Sequence, residues 1–382
     1  MKVTINEGTL FIISNELGDI LPGKEDGLYN QDTRFLNRYE IFINGVKPTV
    51  LTGRQVDYYS AVHYLTNPEL DGMRPNSITI ARKRIIGDAL HEDLEIANHS
   101  LEPIDIKLHF EFDADFADIF DVKASRHPAE ISPEFITNRK ARSLSFRHES
   151  KALYRETKIV FSQTPELGEK AAGFDIKLEP DQRWRICIDF SMLASRKAVV
   201  SSYRCEPFSM VRKRPESEVE WVRKAPKLFT DYDTLEHAYA QSLTDMVALR
   251  LKKPKFEDLG IIPAAGIPWF VTCFGRDSLI TAYQTLPYLP DMAYGVLRNS
   301  ARYQGRKVDI RTEEEPGKIF HEIRWGGFPS TFPAIGEAPY KIYYGTVDAT
   351  PLFIILLYEL YSWTGDKALI GSLKGNLVKA LE

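Results

Sequence analysis

The residue types that could carry chemistry are concentrated in one loop and in the helical pattern that follows it. A loop with Trp269 and Phe270 leads into the adjacent charged residues Arg276 and Asp277. Aromatic rings can stack on the apolar face of a pyranose, and an arginine–carboxylate pair can hold hydroxyl groups in a bidentate arrangement. The same residues also suit an ordinary helix start, with Asp277 complementing the helix dipole and the aromatic residues in the core. The sequence leaves both interpretations open.

A second polar segment, residues 313–325, lies inside the predicted helical region. A long loop within a compact domain is usually either functional or disordered. We expect Glu315, His321 and Glu322 to line a binding site, whereas the two glutamates before Glu315 are expected to be solvated. The adjacent His321 and Glu322 could suggest a metal, but no second ligand pair has suitable spacing, so no metal site is expected.

The third candidate is Asp348, which follows Tyr344 and begins an apolar helical pattern containing Pro351 in its first turn. This helix is apolar on all sides, which predicts that it is buried. A carboxyl group at the start of a buried helix can have its pKa raised by its surroundings, as a general acid requires. Alternatively, Asp348 is an ordinary N-cap residue. Both interpretations stay open at this point.

The elements that must position these residues divide the chain into two parts. Residues 1–205 contain short runs of alternating apolar and polar residues, separated by turn signals such as Asn44–Gly45, which predict an antiparallel β-sandwich. Residues 206–232 form a charged, proline-containing linker. In residues 233–382, apolar residues recur at spacings of three and four, which predicts helices near 235–251, 276–287, 289–304, 349–363 and 366–381. So few helices leave apolar faces uncovered, which indicates a partial domain.

Composition limits the classes of function. The chain has 382 residues, is 43% hydrophobic and has a net charge of −4, as expected of a globular protein with two domains. This charge gives no argument for binding nucleic acid or anionic membranes. No apolar run is long enough for a membrane span, and the N-terminus has no secretory-signal pattern. The three cysteines show no CxxC spacing, so we expect no disulfide framework and a reducing, cytoplasmic compartment.

With these residues identified, the chain resembles the bacterial amylo-α-1,6-glucosidases, the glycogen-debranching type of glycoside hydrolase. The resemblance rests on residues 265–278, 315–322 and 344–351, and on residues 27–36 in the β region. It covers essentially the whole chain. It implies a multidomain protein, with an N-terminal antiparallel β-sandwich followed by the first part of an (α/α)6 barrel of the six-hairpin glycosidase type.

The resemblance also implies roles for the candidate residues. Arg276 and Asp277 would bind the hydroxyl groups of the terminal glucose, and Asp348 would be the general acid, although that role could instead belong to Asp277. The substrate would be α-1,6-linked glucose of a glycogen-like α-glucan, hydrolysed with inversion and without a cofactor. The remaining substrate-binding residues would be Trp269, Phe270, Glu315, His321, Glu322, Trp325 and Tyr344.

The chain departs from the family pattern in its length. An (α/α)6 barrel has six helical hairpins, whereas the sequence predicts about five helices. The general base lies late in such barrels and has no position here. We therefore expect a fragment or one half of a split enzyme, with a separately encoded C-terminal half and little hydrolase activity of its own. The alternatives are another α-glycosidase of the same barrel type and a non-catalytic glycan-binding protein.

Overall fold

The computed structural model describes residues 1–23, 25–125, 131–150, 154–194, 221–251, 260–324 and 342–382. The chain divides into two compact units, Met1–Lys213 and Arg214–Glu382. Most of the predicted linker, residues 206–232, lies outside the described ranges, so its boundaries stay predictions.

The described residues of the first unit form three antiparallel sheets and one short helix. The strands are β1 (Lys2–Glu7), β2 (Leu10–Asn15), β3 (Gly27–Asn30), β4 (Thr33–Leu36), β5 (Arg38–Ile43), β6 (Thr49–Asp57), β7 (Ser60–Thr66), β8 (Ile78–Ile86), β9 (Leu90–Asn98), β10 (Ile104–Asp113), β11 (Glu134–Asn138), β12 (Ser143–Glu149), β13 (Tyr154–Phe161), β14 (Glu166–Gly168), β15 (Ala171–Leu178) and β16 (Arg183–Leu193). The first sheet contains β1 to β4 in order, the second has the order β14–β15–β10–β5, and the third has the order β11–β12–β13–β16–β9–β8–β7–β6. The helix α1 (Ile119–Lys123) begins at Asp118, whose side chain accepts a hydrogen bond from the amide of Phe120.

Alternation of side chains explains how these sheets form one core. Along β10, every second residue from Ile104 to Phe112 is buried, and the residues between them are exposed or half-buried. Side chains of all three sheets meet in one apolar cluster, in which the rings of Tyr39 and Phe112 stack with their centroids 5.1 Å apart. The predicted antiparallel β architecture of this region is therefore confirmed.

A network of charges is buried in the same unit. The guanidinium of Arg82 donates to Glu92 and to Asp19, each at 2.8 Å, and the hydroxyl of Tyr39 donates to Glu92 at 2.9 Å. Burial by itself would raise the pKa of Glu92, but the charges and hydrogen bonds of Arg82 and Arg84 outweigh it and hold the pKa at about 2. A buried ion pair is costly to break, so this network fixes the positions of β8 and β9.

One sequence-based expectation about the cysteines is wrong. Cys187 of β16 is disulfide-bonded, whereas the absence of CxxC spacing led us to expect no disulfide. Sequence spacing does not limit which cysteines a fold brings together. The cytoplasmic location stays a prediction.

The described residues of the second unit include five helices of 11 residues or more, a short helical segment at 221–224 and a small sheet. All five predicted helices are present, as α2 (Asp233–Ala248), α3 (Gly275–Thr285), α4 (Pro290–Arg302), α5 (Ala349–Thr364) and α6 (Lys367–Leu381). Helices α3, α4 and α5 pack against one another, and α6 packs against α4 and α5. The small sheet has the order β17 (Cys273–Phe274), β18 (Glu322–Ile323) and β19 (Ile342–Tyr343).

Helix α5 is not buried on all sides, contrary to the prediction from its apolar sequence. Phe353 and Leu356 are buried, but Ile355 and Tyr358 on the opposite face are 47% and 65% exposed. The reason is that its described neighbours, the other three packed helices, cover only one face. No helix in the described ranges is both long enough and apolar enough to span a membrane.

His91 provides a test of the first unit. Its Nδ1 lies 2.8 Å from Asp189 and its Nε2 lies 3.3 Å from Asp93. Burial alone would lower the pKa of His91, but hydrogen bonds and charges of the two carboxylates raise it from 6.5 to about 9. Because the folded pKa exceeds the unfolded one, this stabilisation is complete below about pH 6.5 and is lost as the pH rises through about 9.

We therefore expect His91→Gln to destabilise the chain near pH 6, by up to about 3 kcal/mol. The difference from wild type should shrink as the pH approaches 10. Urea denaturation followed by the β-sheet signal in circular dichroism measures both quantities. The control is His237→Gln, an exposed position in α2, which should leave the profile unchanged. A wild-type minus His91→Gln difference that is constant across this pH range would contradict the assignment.

Candidate functional site

Three segments that are distant in sequence meet in the small sheet. In β18, Glu322 pairs with Phe274 of β17 on one side and with Tyr343 of β19 on the other. The amide of His321 donates to the carbonyl of Tyr343 at 2.7 Å. These contacts bring together the loop that precedes α3, the His321 segment and the residues that lead into α5.

Gly275 allows the closest of these approaches. It is the first residue of α3, and its amide donates to the carbonyl of His321 at 2.8 Å. A Cβ atom at this position would overlap the carbonyl oxygen of Phe320. Glycine is therefore required for the helix start to lie against the segment that carries His321.

Arg276 lies between two carboxylates that come from two different helix starts. Its Nη1 is 3.3 Å from Oδ2 of Asp348, and its Nε is 3.5 Å from Oδ2 of Asp277. The three side chains are 44%, 37% and 37% exposed, in the order Arg276, Asp277 and Asp348. One guanidinium thus compensates two carboxylates at a surface that a ligand can reach.

Asp348 occupies the N-cap position of α5, but its side chain makes no capping hydrogen bond. Instead it accepts hydrogen bonds from the hydroxyl of Thr346 and from Arg276. Partial burial would raise the pKa of Asp348, but these two hydrogen bonds and the charge of Arg276 outweigh it, so the pKa lies below the usual value. The raised pKa expected from a buried helix start is therefore absent, because this end of α5 is partly exposed and next to a cation.

His321 faces this group of charges from the loop before β18. Its ring makes edge-to-face contacts with Phe274 and Tyr343, with centroids 5.5 and 5.9 Å apart. Among the described residues, its buried Nδ1 has no hydrogen-bond partner. Burial and then the charge of Arg276 lower the pKa of His321, against the opposing effect of Asp277 and Asp348. Together these effects favour the neutral form of the imidazole.

The aromatic loop, residues 266–270, contacts the small sheet through the ring of Phe274. The backbones of Gly266 and Phe270 hydrogen-bond to each other, which closes a tight loop that contains Trp269. Phe270 is 40% exposed, and its ring makes an edge-to-face contact with Phe274 at 5.7 Å. Rings from this loop and from the small sheet thus form a continuous row that ends at Tyr343.

Three predicted site residues, Glu315, Glu322 and Tyr344, make their described side-chain contacts outside this group. Glu315 is 66% exposed and pairs with Lys318 at 3.5 Å. Glu322 is buried, with the guanidinium of Arg324 at 3.8 Å. The hydroxyl of buried Tyr344 donates to the carbonyl of Tyr303, and burial raises its pKa to about 12. Trp325 lies outside the described residues. Roles in sugar binding for these four residues stay predictions.

Sequence reasoning missed three residues that shape the site, namely Gly275, Thr346 and Tyr343. Gly275 directly precedes Arg276, and Thr346 lies two residues before Asp348, a spacing at which a hydroxyl can reach a helix start. No sequence signal separates Tyr343 from Tyr344. The strand alternation that turns the first towards His321 and the second into the core exists only in the folded sheet.

Comparison with known proteins gives one family match. Residues 5–189 match the family model described as the N-terminal domain of (some) glycogen debranching enzymes. No curated protein sequence matches the chain.

A solved structure extends the comparison to both units. "Putative kojibiose phosphorylase from human microbiome" matches with a TM-score of 0.59 and 9% identity, over 96% of this chain and 54% of its own. The chain therefore spans about half the length of that structure, and at this identity the likeness concerns the fold alone.

Two further matches cover 51% of this chain and 99% of their own. They are a "Putative aldose 1-epimerase" from Escherichia coli K12, with a TM-score of 0.31 and 8% identity, and the GalM/aldose epimerase homologue from C. elegans, with a TM-score of 0.30 and 12% identity. TM-scores this low carry no argument.

The close approach at Gly275 gives a testable prediction for the site. We expect Gly275→Ala to destabilise the helical unit by about 1–3 kcal/mol or more, because the new methyl group overlaps the backbone of Phe320. Thermal unfolding followed by circular dichroism measures the effect. The matched control is Gly371→Ala in α6, where nothing lies near the added carbon and the change should stabilise the helix by up to about 1 kcal/mol. Equal effects of the two variants would contradict the described packing.

Proposed function

We propose that this chain is part of a glycosidase whose sugar site is the Arg276 group, a proposal supported by the match of residues 5–189 to the N-terminal domain of some glycogen debranching enzymes. The observation that carries this proposal is the position of Arg276 between Asp277 and Asp348 at the starts of two helices. A sugar hydroxyl group both accepts and donates hydrogen bonds, so it can accept from a guanidinium and donate to a carboxylate.

The proposed reaction is hydrolysis of α-1,6-linked glucose at branch points of a glycogen-like α-glucan. Arg276 and Asp277 orient the terminal glucose, and Phe270 and Trp269 stack on sugar rings. Asp348 protonates the glycosidic oxygen as it leaves. Inversion also requires a second carboxylate about 6.5–9.5 Å from the acid, which activates the attacking water. We propose that this base comes from a part of the enzyme other than the described helices.

The helical unit is proposed to be the first part of an (α/α)6 barrel. Its uncovered apolar residues support this, because α3 exposes Ile280 and Tyr283 while α5 exposes Ile355 and Tyr358. Isolated apolar residues are ordinary on protein surfaces, but stripes on two packed helices are typical of an interface. Further helices, in the same polypeptide or in a separately encoded C-terminal half, would cover them and supply the missing base.

The activity of the isolated chain tests the proposal that the general acid lies in this chain and the general base lies elsewhere. We expect the purified 382-residue chain to bind a branched limit dextrin but to release no measurable glucose from it, because inverting hydrolysis needs both carboxylates. A glucose assay and affinity electrophoresis in the dextrin measure the two properties. Glucose release at a normal glycosidase rate would contradict the absence of the base. Binding without turnover, even after further helices are supplied, would favour the non-catalytic glycan-binding alternative.

Binding of isomaltose tests the location of the site. We expect Arg276→Met to weaken it about 10- to 100-fold, since charge-assisted hydrogen bonds contribute about 1.5–3 kcal/mol. Titration calorimetry measures the affinity. Arg298→Met in α4 is the control, since Arg298 is also exposed and belongs to no part of the proposed site. If the two variants weaken binding equally, the sugar site is elsewhere.

A further inference from the structure

Arg276 is placed to connect the binding of a sugar with the protonation of Asp348. The same guanidinium faces Asp348 through Nη1 and Asp277 through Nε, at 3.3 and 3.5 Å. The proposed function directs this group to sugar hydroxyls. The N–H groups of a guanidinium have fixed directions, so one that turns towards sugar oxygens loses part of its interaction with Asp348.

We propose that an α-linked glucoside and the carboxylate of Asp348 compete for Arg276, so that binding of the sugar favours protonation of Asp348. The inference rests on the proposed function, because it requires the Arg276 group to be the sugar site. It gives Arg276 a positioning role besides binding. Without sugar it holds Asp348 ionised, and with sugar it leaves Asp348 free to carry the proton that a general acid must donate.

The other groups around Asp348 are compatible with this exchange. Among the described residues, Arg276 pairs with Asp348 and, through its other side, with Asp277, and the charges of all three act on His321 of the loop before β18. Once Arg276 turns to the sugar, the negative charge of Asp277 disfavours a second carboxylate nearby. The dipole of α5 favours the ionised form of Asp348. It is the same with and without sugar, so it does not change how sugar binding affects the protonation of Asp348.

The hydrogen bond from Thr346 serves both states of Asp348. Its hydroxyl donates to Oδ1 of the ionised carboxylate. A hydroxyl also offers lone pairs, so after rotation it can accept from the protonated acid. Asp277 keeps a role as an acceptor, because a sugar hydroxyl that accepts from Arg276 can donate to Asp277. One neutral diol thus replaces one ion pair, and the group whose protonation changes is Asp348.

Proton uptake is measured by titration calorimetry of the full chain with isomaltose, between about pH 4 and 8. Buffers with different ionisation enthalpies give the number of protons that accompany binding. Because the Arg276–Asp348 pair is half-exposed and therefore weak, we expect a fraction of one proton to be taken up near the acid end of this range, and the affinity to rise as the pH falls by at most about fivefold in total. In 13C NMR, the titration midpoint of the Asp348 carboxyl should move to higher pH when isomaltose saturates the protein.

Two variants identify the titrating group. In Asp348→Asn the side chain carries no charge that attracts Arg276. We therefore expect this variant to bind isomaltose more tightly than wild type at high pH, with an affinity that does not depend on pH and without proton uptake. In His321→Gln the other titratable neighbour is removed, and the proton uptake should persist. Uptake that survives in Asp348→Asn, or disappears in His321→Gln, would assign the proton to another group and overturn the inference.

The outcomes separate this inference from the function on which it rests. If the wild-type chain binds no isomaltose at any pH, the proposed function fails and the inference fails with it. If isomaltose binds and Arg276→Met weakens the binding, but no proton is taken up, the sugar site stands and only the competition for Arg276 is overturned.

Discussion

Backbone pairing in the small sheet is the constraint on which the candidate site depends. Each of its three strands has only two residues, yet β18 fixes the segment before α3 on one side and the segment before α5 on the other. The buried hydroxyl of Thr272 adds a hydrogen bond to the carbonyl of Ile323. Since both helices begin directly after paired strands or close to them, this pairing determines that Arg276 reaches Asp348.

The two units use charged residues in opposite ways. In the β unit, Arg82, Glu92 and Asp19 are fully buried, and their charges are compensated within the core. Breaking such a pair costs several kcal/mol, so the network fixes structure and cannot exchange partners. The ion pairs of Arg276 are half-exposed, and pairs of this kind contribute only about 0–1 kcal/mol. Sugar hydroxyls can therefore replace them at little cost, which suits a binding site.

The environment of Asp348 shows why burial of a helix does not decide the acidity of its first residues. The apolar sequence of α5 predicts a low-dielectric surrounding, and Phe353 and Leu356 are indeed buried. The helix start, however, lies at a partly exposed end where Thr346 and Arg276 donate to the carboxylate. The acidity of Asp348 therefore depends more on what else Arg276 binds than on the apolar core beneath α5.

The sequence by itself determined the β class of the first region, the five long helices of the second and the identity of the charged pair at the start of α3. Strand alternation, helical spacing and turn residues such as Asn44 and Gly45, both of which have positive φ, are local properties, and local patterns can be read along the chain. The same reading identified Arg276, Asp277 and Asp348 as candidates.

Only the tertiary structure decided which candidates face one another. It placed Asp348 beside Arg276, turned Tyr343 towards His321, engaged the hydroxyl of Tyr344 in the core and left one face of α5 exposed. It also placed Cys187 in a disulfide. These outcomes depend on strand pairing between distant segments and on which face of each helix has a neighbour. Neither property follows from the periodicity of a segment, because the partner that satisfies each face or donor is specified elsewhere in the chain.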